Sequence, residues 1–328
     1  MELFNRVLTL EQACQILKGQ RYIFIYSDLG IDEDKETRGY VCKEKLEASK
    51  CIRIQYKQNG TSREGHIQDF FEAEFLDSTI RTYQSLRKKD MTAFVKDVYQ
   101  RGTSLVVDFT LMNIRFLGSF LSTLCSLDWE YLLFCYTEPK AYVRDRERIK
   151  ERKFDLKNTT LGFEEIPGLE TMGDSTEKSD WVVFLGFEEE RLNRMGEEAS
   201  SKREYIIPVV CIPAMQVKWH NYAIDANRNF LEKSENRDTI SCVSAVNPFD
   251  VYNYLYKEKS NHSQRMIISP VSTKPVILGT IMYILENRQD MMLWDSPYQI
   301  KPNTEESGAS FFYDLSYYIK MVTNQRYR

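Results

Sequence analysis

Residues 104–136 read SLVVDFTLMNIRFLGSFLSTLCSLDWEYLLFCY, and their pattern decides the fold class. SLVVDF (104–109) is a short run of β-branched and aromatic residues that ends at Asp108 and Phe109, as expected for a strand buried on both faces. IRFLGSFLSTLCSL (114–127) is apolar over a helical length, and YLLFCY (131–136) is a second buried strand. Strand, helix and strand within about 30 residues form a βαβ unit, whose strands pair in parallel through a right-handed crossover.

A second unit of this kind lies toward the C-terminus. MIISPV (266–271) reads as a strand, STKPVILGTIMYILEN (272–287) as a loop that becomes a helix, and MMLWDSP (291–297) as the next strand. The two units share a Leu-Gly pair early in the helix (Leu117-Gly118, Leu278-Gly279) and a basic residue in the strand-to-helix segment (Arg115, Lys274). The strand that follows the helix ends in each case at a proline, Pro139 or Pro297. The segments upstream also correspond. YIFIYSDLGIDEDKETR (22–38) and VVFLGFEEERLNR (182–194) are each a strand, then an acidic loop with an arginine, Arg38 or Arg191. These matches predict an α/β protein of two similar Rossmann-like halves with mostly parallel sheets, packed about a pseudo-twofold axis. The halves are 1–143 and 180–328, with a charged linker or excursion over 144–179 that opens with RDRERIKERK.

The remaining elements follow from local pattern. TLEQACQILK (9–18) reads as a helix with a Thr9/Gln12 capping box. RYIFIY (21–26) and CIRIQY (51–56) are strands, and 66–100 reads as mostly helical, with Phe70, Phe71, Phe75, Leu76 and Ile80 at spacings of three to five. In the second half DWVVFLGF, YIIPVVCIP and TISCVSAV are strands, and VYNYLYKEK is a helix. FFYDLSYYIKMV (311–322) fits a terminal strand or a short helix equally.

Composition bounds the function. The 328 residues carry 48 acidic against 44 basic side chains, a formal net charge of −4. That balance argues against an extended nucleic-acid surface, which needs a basic stripe. Seven cysteines, an odd number with no CxxC, point to reduced thiols and a cytoplasmic protein. Residues 1–20 lack the basic and apolar regions of a signal peptide. No apolar run approaches the roughly 20 residues of a membrane span, so no membrane association is expected. His66, His220 and His262 are too far apart in sequence for a metal motif. No GxSxG is present, so no catalytic residue and no metal site are assigned, and no motif specifies a cofactor.

The candidate site is the set of loops at the carboxyl ends of the strands, where open parallel sheets take their ligands. Ser272, Thr273 and Lys274 precede a helix whose backbone N–H groups favour an anion, and Asn113, Arg115 and Asp108 are their counterparts in the first half. Ser272 or Thr273 with Pro275 equally fits an ordinary capped helix start. The acidic residues Asp28, Asp32, Glu33 and Asp34, and Glu188, Glu189 and Glu190, are solvated loops or magnesium and ribose ligands. Trp219, His220, Asn221 and Asn227 fit a polar loop anchored by one indole, or a pocket for a base or sugar.

Residues 266–287, a strand, a short loop with Thr273-Lys274 and an apolar helix, resemble the ligand loop of the CRISPR-associated Rossmann-fold (CARF) and SAVED domains. The resemblance implies a sensor of a nucleotide-like or phosphate-bearing small molecule, held in a crevice between the two halves, in prokaryotic antiviral defence. It departs from that family where Pro270-Val271-Ser272 stand in place of glycines. Two other readings stay open: a nucleotide- or nucleoside-processing hydrolase or glycosidase using Asp108 or the acidic loops, and a non-catalytic subunit that binds a protein partner. The scarcity of histidines and of paired catalytic motifs weighs against the enzyme.

Overall fold

Strand–helix alternation gives this chain two large sheets, each with a parallel centre. The structure is a computed structural model and describes residues 6–28, 37–61, 67–75, 78–99, 102–142, 160–163, 165–173, 178–199, 203–232, 240–261, 265–297 and 304–326. The fold is mixed α/β. The chain divides into two compact units. The first gathers Arg6–Ala141, Ile166–Gly168 and the segment from Thr304 onward; the second is built mainly on Leu169–Asn303.

The chain opens with β1 (Val7–Thr9), α1 (Leu10–Leu17), β2 (Tyr22–Asp28), a 3-10 turn at Thr37–Tyr40 and α2 (Val41–Lys45). It continues through β3 (Lys50–Thr61), β4 (Ile67–Glu74), β5 (Ile80–Tyr83), α3 (Lys88–Val98), β6 (Ser104–Asp108), α4 (Ile114–Leu124) and β7 (Leu132–Tyr142). The second unit carries β8 (Thr160–Phe163), β9 (Ser179–Phe184), α5 (Glu189–Ala199), β10 (Arg203–Cys211), α6 (Trp219–Ala226), α7 (Arg228–Leu231) and β11 (Ser241–Val243). It ends with α8 (Pro248–Asn261), β12 (Arg265–Pro270), α9 (Lys274–Glu286), β13 (Met291–Met292) and β14 (Asp295–Pro297). Strand β15 (Thr304–Asp314) and helix α10 (Ser316–Arg326) return to the first unit.

The first sheet has the order β1-β15-β7-β6-β2-β3-β4-β5. Its centre, β7 to β3, is parallel; β4 and β5 extend it antiparallel, and β15 pairs antiparallel with β1. The helix expected over 66–100 is corrected here. Asp69, Phe71, Ala73 and Phe75 are buried alternately, so a period of two prevails and Phe71 faces the core while Phe70 stands on the other face; only Lys88–Val98 is helical. Two more expectations change. Pro139 does not end its strand, because β7 runs on to Tyr142 beside β15. Residues 304–326 do not belong to the C-terminal half. Phe312 packs into the apolar cluster with Tyr22, Phe24 and Leu133, and the β1 register Leu8↔Phe312 fixes it there.

The second sheet has the order β11-β10-β9-β12-β13, and every pair is parallel. Its core includes Trp181, Val183, Ile206, Val210 and Ile267. The strand order β10-β9-β12-β13 runs as β3-β2-β6-β7 does in the first sheet. The small pair β14/β8 is antiparallel. The linker read over 144–179 lies outside the described residues as far as 159, and so do Asp32, Glu33, Asp34, His66 and His262. None of the described helices is long and apolar enough to cross a membrane.

Helix α9 shows why the Leu-Gly pair matters. All its residues from Pro275 to Leu285 are buried, so it is apolar all round rather than on one stripe. Gly279 faces α8 so closely that a Cβ there would lie 2.3 Å from the Pro248 carbonyl oxygen and 2.7 Å from Val251 Cβ. Gly279→Ala therefore costs about 1–3 kcal/mol of stability despite alanine's better helix propensity. Urea unfolding of the variant checks this, and an unchanged midpoint would contradict the close approach.

Candidate functional site

The second sheet starts at its middle strand. The chain lays down β9, moves to β10 and β11 on one side, then crosses back to β12 and β13 on the other. Adjacent strands β9 and β12, whose last pair is Pro270↔Phe184, thus send their connections in opposite directions. Such a topological switch point opens a crevice beyond the carboxyl ends of the strands, where doubly wound sheets bind ligands.

A cleft of about 560 Å³, its open mouth included, lies at this point. Its apolar lining comes from Leu185, Phe187, Met215, Trp219 and Val271, and its polar lining from Glu188, Arg191, Cys211, His220, Ser272 and Thr273. Gly186 makes the geometry possible. A Cβ on Gly186 would stand 1.9 Å from the Val271 carbonyl oxygen, so only glycine lets the two switch-point loops approach this closely. The buried Asn227 donates its Nδ2 to the Gly186 carbonyl at 2.8 Å and to Ala223 O at 2.7 Å, tying the glycine loop to α6.

Each polar group has an identifiable support. Arg191 comes from the first turn of α5. Its guanidinium carbon lies 4.3 Å from the Trp294 ring centroid, and it donates to Asp295 O at 3.1 Å and to Glu188 Oε2 at 3.4 Å. The buried Asp295 carboxylate also takes Arg194 at 3.0 Å. Trp219 and Phe187 meet edge to face at 5.8 Å. Cys211 Sγ is 3.1 Å from Ser272 Oγ. Burial pushes this thiol up to about 12, so it stays protonated at neutral pH and is a poor nucleophile. Thr273 is the N-cap residue of α9, yet its hydroxyl bonds Ala245 O rather than capping the helix. The expected Pro275 is in the first turn.

The sequence candidates therefore divide. Ser272 and Thr273 line the cleft, while Lys274 is the first residue of α9, half-buried and next to that lining in the chain. Asn113, Arg115 and Asp108 lie in the other unit and serve other partners. Asn113 caps α4 by accepting the Arg115 backbone N–H at 2.8 Å. Arg115 donates through Nε and Nη2 to Asp69 Oδ2 at 2.9 and 2.7 Å, and the Tyr56 hydroxyl donates to the other oxygen of the same carboxylate. Both ionic side chains are almost fully buried. Asp108 is buried beside Cys42 and Cys135. Arg38, read as the counterpart of Arg191, is buried and donates to Thr137 O at 3.2 Å. Trp219 and His220 do line the cleft. Gly186 and Arg191 were not singled out in sequence as binding residues; the strand–Leu-Gly-Phe-acidic pattern at 184–190 was the available signal.

No protein-family model matches the chain, and no curated protein or solved structure matches it.

Because Arg115 and Asp69 form a buried ion pair, removing one partner strands the other charge. Arg115→Ala is expected to lower stability by about 3–5 kcal/mol, read by chemical denaturation. The double change Arg115→Met with Asp69→Leu is expected to recover much of that loss. Near-wild-type stability of Arg115→Ala alone would mean that the pair is solvated.

Proposed function

We propose that the second unit is a ligand-binding sensor module and that its switch-point cleft takes a nucleotide-like, phosphate-bearing small molecule. The observation that carries this reading is the cleft beside the start of α9, a 13-residue helix whose first turn receives no side-chain cap. Backbone N–H groups at such an end, with the helix dipole behind them, favour an anion. Ser272 adds a hydroxyl and Lys274 a cation at the same place. The indole of Trp219 and the ring of Phe187 offer a surface for a planar base.

The charge pattern orients the ligand. Glu188 would repel a phosphate placed against it but accepts hydroxyl hydrogens well. The anionic group therefore belongs at the α9 end, and sugar hydroxyls belong near Glu188. The protonated Cys211 weighs against covalent chemistry by that thiol and for binding. The strand order shared by the two sheets supports an origin by internal duplication. The defence setting that the resemblance implies rests on residues 266–287.

Thermal-shift and calorimetric titration with nucleoside mono-, di- and triphosphates, dinucleotides and cyclic oligonucleotides tests the reading. A true ligand at a hundred times its Kd adds about 2.7 kcal/mol of stability. Trp219→Ala and Lys274→Ala are each expected to lose most of that shift while remaining folded. Absence of any shift across the panel, or a shift that both variants keep, overturns the proposal.

A further inference from the structure

Three metal-ligating side chains meet inside the first unit. Cys42 comes from α2, Asp108 from the end of β6 and Cys135 from β7, and their donor atoms all lie within 4.8 Å of one another. Their residues are 0%, 1% and 0% exposed. Asp108 and Cys135 are register partners across the parallel pair β6/β7, so their side chains rise from the same face of the sheet. Cys42 and Cys135 are part of the apolar cluster with Phe24, Val106 and Leu133.

A carboxylate in such surroundings separates this cluster from an ordinary pair of core thiols. Free thiols pack as small hydrophobes and need no acid beside them. Asp108 Oδ1 accepts the Thr110 backbone N–H at 2.9 Å, and its carboxylate stands with the two sulfurs as a third metal-ligating group from a separate element. We propose that Cys42, Asp108 and Cys135 form a closed structural site for a thiophilic divalent cation of the zinc class.

The dimensions fit. Tetrahedral zinc with Zn–S near 2.3 Å and Zn–O near 2.0 Å places its donors about 3.5–3.8 Å apart, so donors within 4.8 Å of one another close by at most about 1.3 Å. Thr137 Oγ1 lies 3.8 Å from Cys42 Sγ and 2.8 Å from Ser310 Oγ, a neutral oxygen beside the cluster. The charge also balances. Two thiolates and one carboxylate with a divalent ion sum to −1, and the buried Arg38, bonded to the Thr137 carbonyl, brings the region to zero. Binding releases two protons, one from each thiol, as the two sulfur–metal bonds form.

Sequence spacing gives no hint of this site, because its ligands are far apart in the chain and include no CxxC or histidine pair. The test uses the full chain, reduced and stripped of metal, with cobalt(II) as the optical probe. One equivalent is expected to give thiolate-to-cobalt charge transfer and intense tetrahedral bands, displaced by zinc. Cys42→Ala and Cys135→Ala should each abolish the charge-transfer signal, and Cys14→Ala and Cys242→Ala should retain it. Asp108→Asn should weaken zinc binding by about 10–100-fold or more. Native mass spectrometry of the unmodified chain gives a second readout that does not depend on any variant folding: one zinc gained with two protons lost. Three results overturn the proposal: no chelator-resistant ion, charge transfer that survives both Cys42→Ala and Cys135→Ala, or a Cys42–Cys135 disulfide that forms while metal is refused.

Discussion

The approach of Gly186 to the Val271 carbonyl governs the second unit. Parallel strands β9 and β12 lie side by side, and their continuations must part immediately to reach opposite sides of the sheet. The parting is steric as well as topological. With a Cβ distance of 1.9 Å to a backbone oxygen, no other residue fits without moving one of the loops. Asn227, at the C-terminal end of α6, holds the glycine carbonyl, and Arg191 is held by Asp295, Glu188 and Trp294. The cleft is thus a consequence of strand order, kept open by side chains that are themselves fixed. Such fixing lowers the ordering cost on binding, which is the main obstacle to tight recognition by a small site.

The first unit has the same central strand order but uses its charges differently. Arg115, early in the helix after β6 as Lys274 is in the helix after β12, donates two hydrogen bonds to Asp69 and is shielded from solvent. The segment after β6, Phe109 to Met112, is buried throughout. Breaking a buried ion pair costs several kcal/mol, so Arg115 is not available to an incoming phosphate at any ordinary binding energy. One order of strands therefore supports two outcomes, and the polar partners of the loop residues decide between them.

The sequence made the parallel centres legible because buried parallel strands are uniformly apolar and end abruptly. SLVVDF, WVVF and MIIS each became strands with bounds close to those expected, and YLLFCY became a strand that runs on to Tyr142. The Thr9/Gln12 capping box also formed. The stretch 66–100 misled because its phenylalanines satisfy two periods at once, and pairing of β4 with β3, a tertiary interaction, selected the period of two. That misreading hid Asp69 on a strand, and with it the partner of Arg115. The site was half legible. Ser272 and Thr273 follow from a strand–loop–helix pattern, and Trp219 and His220 from composition. Gly186 and Arg191 depend on which strands are neighbours, and no local pattern reports strand order.

The polar groups of the cleft also bear on what kind of chemistry it suits. A hydrolytic site needs a nucleophile or an activated water beside a base of matched pKa. Here the one thiol is held protonated by burial, with its pKa near 12. The Glu188 carboxylate is engaged by Arg191, which is itself anchored at a second carboxylate, Asp295. Glu188 remains a good acceptor for hydroxyl groups. The α9 end adds N–H donors and a lysine but no proton acceptor of suitable strength. His220, also in the lining, is the one side chain of a type commonly used for proton transfer, and with the thiol held protonated and Glu188 engaged by Arg191 it has no activated nucleophile beside it, which is the physical ground for reading this cleft as a receptor.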